Sequence, residues 1–92
     1  MQWKLFANLA EAAGGKEVTV AADPGDTLGD ALAALVSEHP ALRTEVYDED
    51  GTLHDHIRLL RNGRSPFTES EGLDTVLEAG DELALFPPVS GG

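Results

Sequence analysis

The residues best suited to chemistry are the last ones, where Ser90, Gly91 and Gly92 follow two prolines and end in a carboxyl group. Glycine has no Cβ, so Gly91 and Gly92 can pass through a channel too narrow for other residues. The prolines favour an extended exit that points the tail away from the rest of the chain. We expect the Gly92 carboxylate to be the substrate of another protein, with Gly91 and Ser90 as the threaded segment. The alternative is an ordinary frayed terminus.

Two other groups of side chains could bind metal ions, but neither has the spacing that a site needs. His54 and His56 would share one face of a strand without a third ligand, so we interpret them as part of a solvated turn. The acidic run 48–51 would need further acids at Val46 and Ile57 to form a calcium loop. No serine lies at a motif spacing from a histidine, and no glycine-rich phosphate loop follows a strand. The sequence therefore predicts no metal site and no catalytic residue.

The net charge is −11, from 17 acidic and 6 basic residues. Nucleic acid is excluded as a partner, because phosphate recognition requires a basic surface. Dense negative charge also opposes compaction of a small domain unless salt screens it, and molar salt shortens the Debye length to about 3 Å. This composition favours a halophilic source. An acidic mesophilic protein is the alternative.

The length of 92 residues predicts one small domain with a single core. No apolar run approaches the roughly 20 residues of a membrane span. The first residues alternate in polarity and lack the layout of a secretion signal, so we expect a cytoplasmic protein with no membrane partner. Cysteine is absent, which excludes disulfides and thiol chemistry.

The pattern along the chain predicts an α+β fold. Thr27 and Asp30 have the spacing of a helix N-terminal cap, and Pro40 requires that helix to end near His39. An alanine-rich stretch, 9–13, can form a short helical turn. Strands are predicted on either side of the helix, at 3–8, 17–21, 57–61 and 82–86. Polar loops are expected to connect the later strands.

An N-terminal hairpin, one amphipathic helix and a final strand are the element order of a β-grasp domain. We predict a mixed sheet of four to five strands curled around one main helix. The domain is expected to span residues 1–88, followed by a flexible tail at 89–92.

Several motifs spread over nearly the whole chain point to one family. They are Lys4-Leu5-Phe6-Ala7, Thr27-Leu28-Gly29-Asp30-Ala31-Leu32, Arg61-Asn62-Gly63, and Gly80-Asp81-Glu82-Leu83-Ala84-Leu85-Phe86 leading to Pro87-Pro88-Val89-Ser90-Gly91-Gly92. The chain resembles the ubiquitin-like sulfur carriers, among them the small archaeal modifier proteins and the small subunit of molybdopterin synthase. The long acidic segment 43–56 departs from the compact members, so no partner contact is transferred to it.

The resemblance implies a carrier that is not itself an enzyme. An E1-like activating enzyme, using its own ATP and Mg²⁺, would adenylate Gly92. Sulfur would then give a thiocarboxylate, or a lysine of a target protein would give an isopeptide. The implied partners are that enzyme, the large subunit of molybdopterin synthase, target-protein lysines and a desampylase-type isopeptidase. This chain would bind no cofactor of its own.

Strand alternation predicts a docking surface beside the root of the tail. If Leu83 and Leu85 face the helix, their neighbours in the strand lie on the opposite face. The predicted surface, here called the apolar patch, consists of Phe6, Leu60, Phe86 and Pro87. Contiguous exposed apolar surface usually marks an interaction site. Alternatively, Phe6 or Leu60 packs under segment 43–56.

A function of a different class is also compatible with the sequence. The chain could be a noncovalent interaction domain in which the Gly-Gly end is incidental. Loss of Gly91 and Gly92 would abolish a carrier and spare a noncovalent binder.

Overall fold

The computed structural model describes residues 1–54 and 57–87. This part of the chain contains four strands and four α-helical segments, in the order β1 (Gln2–Leu5), α1 (Asn8–Ala13), β2 (Glu17–Thr19), α2 (Leu28–Glu38), α3 (Arg43–Val46), β3 (Arg58–Arg61), α4 (Pro66–Glu69) and β4 (Glu82–Phe86). Short 3₁₀ turns lie at Pro40–Leu42 and Gly72–Asp74. The predicted α+β element order, with one main helix after the first hairpin, is confirmed.

The four strands form one mixed sheet in the order β2-β1-β4-β3. β1 pairs antiparallel with β2, as predicted for the hairpin, and parallel with β4. β3 pairs antiparallel with β4. The last strand is therefore central in the sheet, with a hydrogen-bonded neighbour on each side.

Helix α2 covers one face of the sheet and is fixed at both ends. Thr27 Oγ1 accepts a hydrogen bond from Asp30 N at 3.2 Å, and Asp30 Oδ2 accepts one from Thr27 N at 3.0 Å. This reciprocal pair satisfies two backbone donors that the first helical turn leaves free. The helix ends with His39 as its C-cap, directly before Pro40. The predicted cap and helix end are confirmed.

The core lies between α2 and the inner face of the sheet. Its largest member is Trp3, which is fully buried. The Trp3 indole Nε1 donates to the Ala31 carbonyl oxygen at 3.2 Å, so the one polar atom of the ring is satisfied and links β1 to α2. Leu5, Leu83 and Leu85 are at most 1% exposed and complete the inner face near the end of the sheet.

The segment after Leu42 differs from the predicted loop because it begins with helix α3. Leu42 and Val46 are both fully buried. They are four residues apart, so one helical turn directs both side chains into the core. An isolated bridge between Tyr47 and Leu53 flanks the acidic turn. The later segment predicted as loop likewise contains α4, which begins at Pro66, a residue favoured in the first helical turn.

Candidate functional site

The central strand β4 leads to the C-terminal tail. Leu83 and Leu85 are fully buried, whereas Ala84 and Phe86 are only partly buried. The predicted strand phase, with Phe86 on the face opposite the helix, is confirmed. Pro87 is the last described residue and is also partly buried. The predicted reacting and threading residues, Gly92, Gly91 and Ser90, lie outside the described residues, so their roles stay predictions.

Phe6 and Phe86 form an aromatic stack at the root of the tail. Their ring centroids are 4.3 Å apart and the ring planes differ by 8°. The cause is the parallel register of β1 and β4, in which Leu5 lies beside Leu85 and the following residues come next to each other. Adjacent strands are about 4.8 Å apart, which suits two stacked rings. Phe6 remains 40% exposed, so part of this stack is open to solvent.

The third strand contributes the other side of the apolar patch. Leu59 is 2% exposed and lies beside Leu85 in the core, so Leu60, beside Ala84, is on the outer face. Leu60 is partly buried. The structure thus places the C-terminal end of β4 and residues from its two neighbouring strands on one face of the sheet.

Charged side chains border the apolar patch. Lys4 Nζ contacts Glu82 Oε1 at 2.9 Å on the same outer face. The hydrogen bond to Glu82 raises the pKa of the Lys4 ammonium, because it favours the charged form. Arg58 lies beside Phe86 in the strand register and is exposed. Within the described residues, Arg58 forms no salt bridge.

A polar network fixes the start of β4 against the turn that follows β3. Asn62 Nδ2 donates to Asp81 Oδ1 at 2.9 Å, while Asn62 Oδ1 accepts from Glu82 N at 2.8 Å. Arg61 Nε donates to Asp81 Oδ2 at 2.8 Å. Asn62 and Gly63 have φ values of 53° and 80°. This left-handed geometry is tolerated by the Asn-Gly pair and makes the tight turn that holds Asn62 in place.

Asp81 is the buried centre of that network. Burial alone would raise the pKa of Asp81, but hydrogen bonds from the Glu78 backbone N–H and from the side chains of Asn62 and Arg61 outweigh it. The pKa of Asp81 is therefore lower than its usual value. This network was not predicted from the sequence. The only signals for it were the Asn-Gly turn and the Gly-Asp pair before β4, and the 19-residue separation of Asn62 and Asp81 is not visible in a local pattern.

The side chains of Asp48 and His54, from the two metal-site candidates, contact groups of the protein itself. Asp48 Oδ1 accepts from the backbone N–H groups of Asp50 and Thr52 at 2.9 and 3.2 Å, so its carboxylate closes the turn. The Thr52 hydroxyl donates to Asp48 Oδ2 at 2.8 Å and lowers the pKa of that carboxyl group. His54 Nε2 lies 3.3 Å from the Thr44 carbonyl oxygen. Across residues 1–54 and 57–87, no three histidine or acidic side chains are grouped to hold a metal ion, while His56 lies outside this part.

Among residues 1–54 and 57–87, no helix is long and apolar enough to cross a bilayer.

The fold and the site together define a ubiquitin-like carrier protein with a β-grasp domain. In this class a mixed sheet curls around one main helix, and the last strand leads out of the sheet centre to the C-terminus. The chain belongs to the ThiS family, which matches residues 3–92. This family comprises small protein modifiers and sulfur carriers.

Individual relatives agree with this assignment. The chain is 58% identical over 92 residues to small archaeal modifier protein 1 of Haloferax volcanii, with 100% of each chain covered. Small archaeal modifier protein 3 of the same organism is 35% identical, covering 100% of this chain and 98% of that protein.

Solved structures give the same result. The crystal structure of SAMP1 from Haloferax volcanii superposes with a TM-score of 0.87 at 56% identity, covering 99% of this chain and 97% of that one. A chain of the Amycolatopsis orientalis BexX/CysO complex superposes with a TM-score of 0.80 at 26% identity, covering 99% and 98% of the two chains. The predicted fold and family resemblance are confirmed.

Proposed function

We propose that the Gly92 carboxylate is adenylated by an E1-like activating enzyme that docks on the apolar patch. The observation that carries the proposal is the Phe6–Phe86 stack, a partly exposed aromatic surface at the point where β4 leads to the tail. Aromatic side chains in such positions are common anchors of protein interfaces. A partner bound to this stack lies beside the root of the tail whose end it must activate.

The length of the tail is suitable for such a partner. Six residues follow Phe86 in the sequence. At roughly 3.3–3.6 Å per extended residue, they span about 20 Å. An enzyme that binds the patch can therefore hold the terminal carboxyl group in a catalytic centre well away from the domain surface.

The chemistry requires activation, because a carboxylate is ionised in the cell and reacts poorly with nucleophiles. A Gly92 carboxylate oxygen attacks the α-phosphorus of ATP, and pyrophosphate leaves. A sulfide then displaces AMP to give a thiocarboxylate, or a lysine amine displaces AMP to give an isopeptide. ATP, Mg²⁺ and the catalytic side chains belong to the enzyme. The large subunit of molybdopterin synthase and a desampylase-type isopeptidase are later partners on these two routes.

A chain ending at Ser90 tests the proposal. ATP–pyrophosphate exchange by the activating enzyme should be lost with this chain, because the reacting carboxyl group is displaced far beyond the about 3–3.5 Å needed for attack. A matched control is the full chain with Val76→Ala, an exposed apolar residue outside the patch. Exchange at full rate with the truncated chain would contradict the carrier proposal and favour a noncovalent interaction domain.

A further inference from the structure

The chain has three amines that an activated carboxyl group could acylate: the α-amine of Met1 and the side chains of Lys4 and Lys16. We infer that Lys16 is the acceptor to which a second copy of this chain is joined through its activated Gly92. The inference rests on the function proposed above. The three amines differ in the groups that the structure places against them.

The Met1 amine is engaged by the backbone. It donates to the carbonyl oxygens of Val20 and Ala22, each at 3.2 Å, in a partly buried position. The Met1 carbonyl oxygen in turn accepts from Val20 N at 2.9 Å. An attacking amine must present a free lone pair to the carbonyl carbon, so reaction at Met1 requires this end of β1 to separate from the chain after β2.

The Lys4 amine is engaged by a side chain. It contacts Glu82 Oε1 at 2.9 Å, and the Glu17 carboxylate on the paired strand also favours its charged form. A protonated amine is not a nucleophile. Lys4 also lies beside Ala84 on the outer face of the sheet, next to Phe6, so an enzyme docked on the apolar patch covers it.

The Lys16 side chain is exposed and makes no hydrogen bond or ion pair with any residue in 1–54 or 57–87. Its backbone is nevertheless fixed, because Leu5 N donates to the Lys16 carbonyl oxygen at 2.7 Å. The two residues before it are glycines. At Gly14 even an added Cβ would meet no atom within 4 Å. The approach to Lys16 is therefore open on the side of this turn.

Lys16 also directly precedes β2, which is an edge strand, whereas Phe86 ends the central strand. A copy docked on the activating enzyme has its own tail directed into that enzyme. An amine of this chain that meets the activated carboxyl group therefore belongs to a second copy. The neutral Lys16 amine attacks the Gly92 carbonyl carbon, a C–N bond forms, the bond to AMP breaks, and the amine proton passes to solvent.

The conjugation experiment uses the full chain with its activating enzyme, ATP and Mg²⁺. We expect a product of twice the chain mass less one water, with a Gly92–Lys16 branched peptide after digestion. Lys16→Arg should remove this product while keeping the charge, and pyrophosphate exchange with the Lys16→Arg chain should stay at the rate of the unchanged chain. A branch at Lys4 or Met1, a monomer that has lost one water, or a dimer that persists in Lys16→Arg would overturn the inference.

A second measurement separates the inference from the function on which it rests. Pyrophosphate exchange with no dimer would refute the Lys16 acceptor and leave the carrier function intact, whereas absence of exchange would refute both. Acetylation by N-hydroxysuccinimidyl acetate needs no enzyme, and we expect Lys16 to react about two- to fivefold faster than Lys4, the factor that an exposed ion pair supplies. Glu82→Gln removes the charged partner of Lys4 and should bring the ratio of the two acetylation rates closer to one. Faster acetylation of Lys4 than of Lys16 would also overturn the inference.

Discussion

Arg61 and Asp81 join the end of β3 to the start of β4, with Arg61 Nε donating to Asp81 Oδ2 at 2.8 Å. The Asp81 side chain is 6% exposed and the Arg61 side chain 21%. The pair is thus largely removed from water, unlike the Lys4–Glu82 pair, whose side chains are 43% and 60% exposed. If one partner is removed, the remaining charge has little water or other polar surface with which to interact.

Asp81→Ala should therefore lower the free energy of unfolding by about 2–3 kcal/mol, because it removes charge-assisted hydrogen bonds to partly buried donors. Chemical denaturation measures the change. The control is Glu69→Ala, which removes an exposed contact to Arg64 at 3.7 Å and should cost less than about 1 kcal/mol. Equal effects of the two substitutions would contradict the role given to Asp81.

The same carboxyl group makes stability depend on pH. Its pKa in the folded chain is lower than the ordinary 3.8, so its contribution to stability is present above that value. The contribution is lost as the pH falls through the lower folded-state pKa, because the unfolded chain binds the proton more tightly. Denaturation curves between pH 7 and pH 2 should show a smaller loss of stability for Asp81→Asn than for the unchanged chain. If the stability of both chains falls equally with pH, Asp81 does not contribute to the pH dependence.

Phe86→Ala should weaken docking of the activating enzyme by about 1–3 kcal/mol, the range of an interface anchor. The loss of the stack with Phe6 should cost the fold only about 0.5–1.5 kcal/mol beyond its buried area. Phe67→Ala is the matched control, because Phe67 is a 49% exposed aromatic residue outside the patch. Binding by titration calorimetry that falls equally in both variants would exclude a specific role for the patch.

Ala7 offers a stabilising substitution directly after Phe6. Its φ and ψ are 51° and −128°, and Leu9 N donates to the Phe6 carbonyl oxygen at 3.1 Å across the turn. Such backbone angles at the first central position of a β-turn favour glycine. Ala7→Gly should raise the free energy of unfolding by about 0.5–1 kcal/mol, whereas Ala12→Gly within α1 should lower it by about 1 kcal/mol. If both substitutions lower the free energy of unfolding, the backbone at Ala7 is not strained.

Salt should stabilise the chain. The excess of acidic side chains, which gives a net charge of −11, produces electrostatic repulsion in the compact state. Molar salt screens this repulsion by reducing the Debye length to about 3 Å. The Tm should rise by several degrees between low salt and molar potassium chloride. A flat Tm would contradict the halophilic interpretation of the composition and leave the fold unaffected.

Local patterns predicted most of the fold and the faces of its strands. Alternation is enough to place Leu85 inside and Phe86 outside, because neighbouring strand residues point in opposite directions. The stack of Phe6 on Phe86 depends on the parallel register of two strands that are far apart in sequence. Helix α3 was missed because its polar residues hide the buried pair Leu42 and Val46. Long-range pairing and burial decide such features, and neither is encoded in a short window.

The parallel pairing of β1 with β4 has a mechanical consequence. Gln2 lies beside Glu82 and Leu5 beside Leu85, so the bonds between the two strands form one continuous ladder. A pull applied at the Phe86 end of β4 against the Gln2 end of β1 acts along both strands. The ladder is then loaded in shear, and its bonds must fail together rather than open one after another. A target protein tethered through the tail would thus be attached to the strand that best resists being dragged out of the domain.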